Sequence, residues 1–429
     1  FLYKNRIRPE EISWSHPGSM MESDVEDYYK IYDELRKLTP YGRQPVLNDA
    51  LPTEAEAVCS FALAQDFGLS GNNMFLGIDV GGSTSDILLL AKDPKNMNKA
   101  SLYRESSVRL AAGVFFDAII KSETFRRALV SFHEGSQRSV YVSNIKDVLN
   151  EPKKAPYYLN NIFDQLKTPE DYDNFYDVIN VDAKFAFTIP AYVTGLLLFY
   201  SGMLIGKTIK EHNLTHIERV DVLSFGKGGR IFHWLRTAAP RAAKEYYAKC
   251  LNAGVAVVTD VELSVKYRDE IEVDNKAEVA KGLCDPKDIV KVNHNVDADI
   301  CGEDGVKYIL PDGSSKVLSV EDELTGEFFA NDMSNFDFTG TSNFTKFMDI
   351  FIEFVSQKTK LYAKAESELR DDLMELPSKI SSNIINNDRE YKKAKEKAKA
   401  GDGFRYHQPI IIAEGLCFLN TLIRKAFNQ

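Results

Sequence analysis

The sequence predicts an α/β fold with mixed sheets flanked by helices, because two strand–turn units are interleaved with apolar and amphipathic helices. Residues 75–90 contain two apolar runs on either side of a polar turn that includes glycine, which is typical of two adjacent strands. Residues 220–225 form a second buried strand, which leads into a glycine loop at 226–229 and a helix from residue 231. Strands that alternate with helices in this way favour packed α/β layers.

The composition is that of an ordinary globular protein. The 429 residues are 44% hydrophobic and 27% charged, with a net charge of −10. This acidic balance argues against a nucleic acid as the main partner, because binding to phosphates requires a basic surface. The five cysteines are scattered and form no C-x-x-C pair, which indicates reduced thiols. We therefore expect a cytoplasmic protein that binds no nucleic acid.

One apolar segment begins at Phe185 and ends at Gly206 without a charged residue. Its length, roughly twenty residues, would suffice to span a bilayer. However, it contains Pro190 and three glycines, and it lies just before the strand at 220–225. A membrane span there would separate that strand from its sheet. We therefore predict a buried core helix and no membrane partner.

The turn between the first two strands has the chemistry of a phosphate site. Glycines let the backbone approach a ligand closely, so that N–H groups can point at phosphate oxygens, and hydroxyls add donors. A carboxylate at the end of a buried strand could hold Mg²⁺ through water, because hard cations prefer oxygen ligands. The alternative is a hairpin with a polar turn and no ligand. The residues concerned are Asp79, Gly81, Gly82, Ser83, Thr84 and Asp86.

The second glycine loop is typical of a site that contacts a nucleotide with backbone atoms, since it joins a buried strand to a helix. A planar guanidinium at its end could lie along a base. The alternative is a structural turn, because any α/β protein has glycine turns after its strands. The candidate residues are Gly226, Gly228, Gly229 and Arg230.

The order of these segments resembles that of the actin-like ATPase superfamily, which includes actin, heat-shock chaperone ATPases and sugar kinases. Residues 79–86 resemble its second phosphate loop, and residues 226–231 resemble its adenosine loop. Residues 51–57 resemble the Pro-Thr helix that precedes the second phosphate loop in the chaperones. Residues 107–119 resemble the segment after it in bacterial cell-shape actins, and residues 276–282 resemble the helix after the adenosine loop.

The resemblance implies an actin-like, ribonuclease H-like fold that binds ATP and Mg²⁺. Asp79 and Asp86 would organise the Mg²⁺, and Asp79 and Glu54 would be the catalytic residues. The implied nucleotide-binding residues are Gly81, Gly82, Ser83, Thr84, Gly226, Gly228, Gly229 and Arg230.

Three departures from the family pattern affect this interpretation. In the family the first phosphate loop lies farther before the second than the 78 residues that precede Asp79, so we expect that the first phosphate loop is missing. In the alternative, the turn at 79–86 is itself the first loop, but the flanking segments favour the second. The chaperones have a glutamate where this chain has Leu51, and Glu54 or Glu56 could substitute. Lys227 replaces a glycine of the adenosine loop. The differences at Leu51 and Lys227 both argue against efficient hydrolysis.

We divide the chain into an actin-like ATPase core at 1–285, without the first phosphate loop, and a C-terminal α+β extension at 286–429. The expected function is that of an ATP-binding, actin-like or chaperone-like conformational switch with slow hydrolysis in the full-length chain. The alternatives are a sugar-type kinase, which needs a carboxylate base near the γ-phosphate, and a filament or scaffold protein without catalysis. A nucleotide and a protein partner or self-association are the expected partners.

Three local expectations concern elements outside these motifs. Residues 255–258 and 409–412 are predicted as strands, because each is a short apolar run. Asp297, Asp299, Glu303 and Asp304 form an acidic cluster without the spacing of a calcium loop, and we predict that it is a solvated surface.

Overall fold

The computed structural model describes most of the chain. Several positions named above lie outside the described ranges, namely Leu51, Phe185, residues 117–119, residue 276 and Asp297. The described ranges are 11–16, 22–38, 46–47, 52–64, 69, 71–93, 96–114, 116, 123–135, 166–178, 188–268, 277–285, 289–291, 299–309, 312–322, 336–357, 366–387, 391–393, 395–396 and 408–427.

The strands in these ranges vary from two to thirteen residues in length. They are β1 (Glu11–Ile12), β2 (Val46–Leu47), β3 (Asn73–Val80), β4 (Ser85–Asp93), β5 (Asn96–Val108), β6 (Arg219–Phe225), β7 (Ser264–Tyr267), β8 (Ile289–Lys291), β9 (Lys307–Ile309), β10 (Ser315–Val317) and β11 (Phe336–Asp337).

The helices lie mainly between and after these strands. They are α1 (Glu22–Lys37), α2 (Glu54–Ala64), α3 (Glu123–Gly135), α4 (Pro169–Val178), α5 (Thr188–His212), α6 (Arg230–Ala238), α7 (Pro240–Val258), α8 (Ala277–Cys284), α9 (Asn343–Gln357), α10 (Glu366–Glu375), α11 (Pro377–Asn387) and α12 (Ile410–Phe427).

A six-stranded mixed sheet with the order β7-β6-β3-β4-β5-β8 forms the centre of the fold. The strands β3, β4 and β5 pair antiparallel as a meander, and β6 and β8 add in parallel to β3 and β5. The strand β7 is parallel to β6. The prediction of an α/β fold with a mixed sheet is therefore confirmed.

Helices cover both faces of this sheet, because successive side chains of β3 and β4 point to opposite sides. On one face, Met74, Leu76 and Ile78 belong to the large core that contains α5. On the other face, Phe75 and Leu88 belong to a smaller core that contains α2. The helix α8 packs closely on α2, with Gly282 against the Ala57 carbonyl. The site described below lies on the α2 side.

The helix α5 is buried along most of its length, and all residues from 188 to 209 are buried. The prediction of a core helix is confirmed for the described part of the segment. By length and composition, α5 is also the one described helix that could cross a membrane, and the protein interior buries it. The absence of a membrane partner stays a prediction.

The helices α5 and α7 cross at glycine contacts. A β-carbon added at Gly202 would overlap with the Leu251 carbonyl, and one added at Gly254 would overlap with the Phe199 carbonyl. The prediction of a strand at 255–258 is wrong, because these residues form the last turn of α7. An apolar run of this length does not distinguish a strand from the buried end of a helix.

The C-terminal part contributes to the same core. The prediction of a strand at 409–412 is wrong, since Ile410 begins α12, whose first turn is wholly buried. The helices α9 and α12 both pack against α5, and β8 extends the main sheet beside β5. A small sheet, β10-β9-β11, is also present. The hydrophobic core is continuous across residue 285, and the proposed division there stays a prediction.

The prediction of a solvated acidic surface is wrong for Glu303, which is fully buried. Its carboxylate accepts hydrogen bonds from the backbone N–H groups of Ser342 (2.8 Å), Asn343 (2.6 Å) and Phe344 (2.8 Å). These groups belong to the first turn of α9. Glu303 therefore satisfies the open N-terminus of a helix whose dipole favours a negative charge.

A second buried carboxyl, Glu414 of α12, lies against Glu303. Burial and the charge of Glu303 raise the pKa of Glu414 well above its usual range. The protonated form of Glu414 is therefore the stable one in the folded protein. It acts as a neutral partner for the Glu303 carboxylate between α9 and α12.

We predict that Gly202→Ala destabilises the protein by about 1–3 kcal/mol, because its β-carbon would overlap with the backbone of α7. In an uncrowded helix the same change stabilises by about 1 kcal/mol. A decrease in the free energy of unfolding would therefore indicate the close contact between α5 and α7. The measurement is urea unfolding. Gly206→Ala is the matched control, because its β-carbon would lie 3.0 Å from Val255 O and should cost less. A stabilised Gly202→Ala variant would contradict the crossing.

The raised pKa of Glu414 predicts a pH dependence of stability. As pH rises above about 4.5, the unfolded chain loses a proton that the native state retains, so the free energy of unfolding falls by up to about 1.4 kcal/mol per pH unit. Glu414→Gln, which remains neutral, removes this contribution. The measurement is the difference between wild-type and variant unfolding free energies from pH 4 upward, and a difference that does not change with pH would refute the assignment.

Candidate functional site

The two predicted glycine loops meet at one end of the central sheet. The parallel pairing of β3 and β6 brings Asp79 next to Phe225, so both strands end side by side. The Gly228 N–H donates to the Val80 carbonyl at 3.0 Å. A β-carbon added at Gly228 would lie 2.5 Å from that same oxygen, so glycine is required for this approach.

The turn between β3 and β4 is tightly held from one side. The Gly81 N–H donates to the Thr84 carbonyl at 2.9 Å and closes the turn. The carbonyls of Gly81 and Gly82 accept from the N–H groups of Ala112 (3.1 Å) and Gly113 (3.0 Å). The residues that follow β5 therefore form a support for the turn.

The tip of the turn is open. Gly82 and Ser83 are exposed, and Thr84 is half-buried. A β-carbon added at Gly82 would meet no atom within 4 Å. Folding therefore does not require glycine at this position, whereas a ligand that approaches the backbone closely would require it.

The second loop bends sharply toward β3. Gly226 has a φ of +70°, and a β-carbon there would overlap with the Asp79 carboxylate. The Gly229 N–H donates to the Gly226 carbonyl at 3.1 Å, and α6 begins at the next residue. Lys227 and Arg230 are half-buried at this junction. The loop thus places the start of α6 beside the end of β3.

Four carboxylates of the described residues lie near one another on the α2 side of the sheet. Asp79 and Asp86 face each other directly across the β3–β4 hairpin. Glu54 is the first residue of α2, and the buried Glu278 is in the first turn of α8. The charges of Glu54 and Glu278 both act on Asp79, so the starts of α2 and α8 contribute to the electrostatics of the hairpin.

The crowding of these carboxylates changes their protonation. Burial raises the pKa of Asp79 to about 7, and the charges of Asp86, Glu54 and Glu278 add to this effect. Burial and the charge of Glu54 raise the pKa of Asp86 to about 6. A hydrogen bond from the Ser107 side chain opposes the rise for Asp86. The site therefore brings together four acidic groups, of which Asp79 and Asp86 keep their protons to an unusually high pH.

The structure decides between Glu54 and Glu56. The Thr53 N–H donates to Glu56 Oε2 (2.7 Å), and the Glu56 N–H donates to Thr53 Oγ1 (3.1 Å). This reciprocal pair is a capping box that starts α2. Glu56 is thus occupied in folding, and Glu54 is the residue whose charge acts on Asp79 and Asp86.

Two features of the site were missed by sequence reasoning. Glu278 was not predicted as a site residue, although its position as an acidic residue in the first turn of the helix at 277–284 indicates a helix start. The support from Ala112 and Gly113 rests on backbone hydrogen bonds, which leave no side-chain pattern in the sequence. The predicted turn, the predicted loop and Glu54 are all brought to one end of the sheet.

Within the described ranges, no group of three or more His, Cys, Asp or Glu side chains is arranged to hold a metal ion directly. Asp79 and Asp86 alone would therefore supply a small share of a cation's ligands. The chain matches no protein-family model and no curated protein sequence.

The carboxylate crowding predicts that the ligand-free protein loses stability as pH rises. Between pH 3.8 and about 7, Asp79 stays protonated in the native state while it ionises in the unfolded chain. The free energy of unfolding then falls with a slope of up to about 1.4 kcal/mol per pH unit. We expect Asp79→Asn to flatten this slope in urea titrations at several pH values.

The control for this experiment is Glu34→Gln, which removes a carboxylate that is 73% exposed on α1. It should leave the slope nearly unchanged, because water already solvates that charge. An Asp79→Asn variant with the wild-type slope would show that Asp79 is not electrostatically crowded.

Proposed function

We propose that this protein binds Mg²⁺–ATP at the end of the sheet where β3 and β6 terminate, and that the bound nucleotide controls its conformation. The observation that carries the proposal is the junction of the turn at 79–86 and the loop at 226–230, made by the Gly228–Val80 hydrogen bond. Two loops of phosphate-binding and nucleoside-binding type that lie side by side can respond together to one ligand.

The architecture supports an actin-like, ribonuclease H-like domain. Five of the six central strands, in the order β5-β4-β3-β6-β7, combine an antiparallel meander with two parallel strands beside its first strand. Mixed sheets of this kind are what the resemblance implies. The turn at 79–86 joins the first two strands of the sheet.

The turn would hold phosphate oxygens at its open tip. The backbone of Gly82 and Ser83 is exposed there, and no atom crowds the α-carbon of Gly82. The hydroxyls of Ser83 and Thr84 add donors beside it. The support from Ala112 and Gly113 fixes the carbonyls of the turn away from this tip, so that a phosphate would meet donors rather than acceptors.

The carboxylates explain why the nucleotide would need Mg²⁺. A polyphosphate that approaches Asp79, Asp86, Glu54 and Glu278 without a cation is repelled by four acidic groups. Mg²⁺ usually keeps several waters and binds one or two carboxylates together with substrate phosphates. The hairpin pair fits that requirement, since Asp79 and Asp86 are paired directly across β3 and β4 and offer two carboxylates side by side.

In this arrangement Asp79 and Asp86 hold the cation, which supplies charge neutralisation for the phosphates when bound. Glu54 lies at the N-terminus of α2 close enough to act electrostatically on both aspartates, and it is the residue suited to orient a water for slow hydrolysis. Arg230, at the first position of α6, would lie along the base while Gly226 to Gly229 contact the ribose.

We predict that Mg²⁺–ATP raises the melting temperature of the wild-type protein by a few degrees. Ligand at 100 times its dissociation constant stabilises by about 2.7 kcal/mol. ATP with EDTA should give a much smaller shift, because the carboxylates repel the free polyphosphate. Differential scanning fluorimetry measures both. A wild-type protein that shows no shift at millimolar Mg²⁺–ATP would exclude the function.

The matched variant is Gly82→Ala, which should keep the melting temperature of the free protein because its β-carbon faces open space. It should weaken Mg²⁺–ATP binding about tenfold or more, because the methyl group occupies the approach to the phosphates. Ser314→Ala, in an exposed turn far along the chain, is the control and should bind normally. Unchanged binding by Gly82→Ala would place the phosphates elsewhere.

A further inference from the structure

Gln408 belongs to the C-terminal part of the chain, for which the sequence offered no role. It is 1% exposed, and its Oε1 atom accepts a hydrogen bond from the Arg109 N–H at 3.2 Å. Arg109 directly follows Val108, the last residue of β5. A side chain almost 300 positions away along the sequence therefore contacts the start of the segment that supports the phosphate turn.

That segment is connected to the turn at several consecutive points. The Ser85 hydroxyl donates to the Leu110 carbonyl at 2.6 Å, and the N–H groups of Ala112 and Gly113 bind the turn carbonyls. Only one peptide unit separates the Arg109 N–H from Leu110. A displacement of Arg109 would therefore move the groups that hold the turn.

Gln408 is itself held firmly. The helix α12 begins two residues later with Ile410, and its first turn is buried in the main core. The Ala413 N–H donates to the Pro409 carbonyl at 3.0 Å, and the Ile411 N–H donates to the Cys301 carbonyl at 3.4 Å. The amide of Gln408 is thus placed by a rigid helix and not by a loose terminus.

The chemistry of the amide is informative. Its Nε2 atom is buried and has no hydrogen-bond partner among the described residues. A buried donor without a partner costs free energy, and an apolar side chain of the same shape would avoid that cost. The Oε1 atom of Gln408, which accepts the hydrogen bond from the Arg109 N–H, is therefore the atom that accounts for a buried amide at this position.

We propose that Gln408 is a positioning residue for the phosphate turn. It fixes Arg109, the residues after Arg109 fix the turn at 81–84, and α12 and the turn are thereby mechanically coupled. The consequence for ATP rests on the proposed function, whereas the coupling itself is a property of the ligand-free protein. The C-terminal helix is then part of the nucleotide machinery.

The first experiment measures hydrogen exchange by NMR in the ligand-free protein. In Gln408→Met, which keeps the length of the side chain and removes the oxygen, the amides of Ala112 and Gly113 should exchange about tenfold faster. The amide of Gly228, which also binds the end of β3, is the internal reference and should not change. Gln408→Glu restores an oxygen acceptor and should return the exchange to near the wild-type rate.

Equal acceleration at all three amides would indicate general destabilisation, and no acceleration would indicate no coupling; either result overturns the proposal. Should Gln408→Met fail to fold, Gln408→Asn replaces it, since its amide is one methylene too short to reach Arg109. The same exchange pattern is expected of that variant.

The second experiment measures Mg²⁺–ATP affinity by isothermal titration calorimetry. We expect about tenfold weaker binding by Gln408→Met and near-normal binding by Gln408→Glu. Faster exchange with unchanged affinity would overturn the link to nucleotide. A wild-type protein that binds no Mg²⁺–ATP would remove the proposed function, while the exchange data would still decide the coupling between α12 and the turn.

Discussion

The site depends on one hydrogen bond, from the Gly228 N–H to the Val80 carbonyl. It joins the ends of two parallel strands that are far apart in the sequence, and it forms because no side chain at 228 keeps the loops apart. The pairing of β3 and β6 already brings the starts of the two loops side by side, and this bond joins the loops themselves. Asp79 lies beside Gly226 at this junction.

The acidic groups near this junction work against the stability of the empty protein. Each of Asp79 and Asp86 has a raised pKa because burial and neighbouring carboxylates disfavour its charge. Such crowding is tolerated where a ligand relieves it, and strained electrostatics is more frequent at functional sites than elsewhere. The pair of Glu303 and Glu414 differs, since backbone N–H groups at the start of α9 satisfy the Glu303 carboxylate and burial favours the protonated form of Glu414.

The strands β3, β4 and β6 and the two glycine loops could be predicted from the sequence, because apolar alternation and glycine are local signals. The strand β5 could not, since buried polar residues such as Arg104 and Ser106 interrupt its pattern and find partners only in the fold, at Glu211 and Asp299. The short apolar runs at the end of α7 and the start of α12 likewise do not reveal their helical structure in the sequence. Burial on all sides removes the periodicity that separates helix from strand. The role of Gln408 depends on a contact across most of the chain, which no local pattern encodes.

The strand β8 has a consequence for how this chain behaves when it is cut. Its three residues pair with β5 from Ala100 to Leu102 and lie just beyond the position at which an ATPase core was expected to end. In a proteolytic fragment that stops before β8, the edge of β5 from Ala100 to Leu102 would be unpaired, and its N–H and C=O groups could pair with another chain. Exposed sheet rims of this kind template intermolecular pairing. Shortening this protein at its apparent boundary would therefore favour aggregation over a smaller folded fragment.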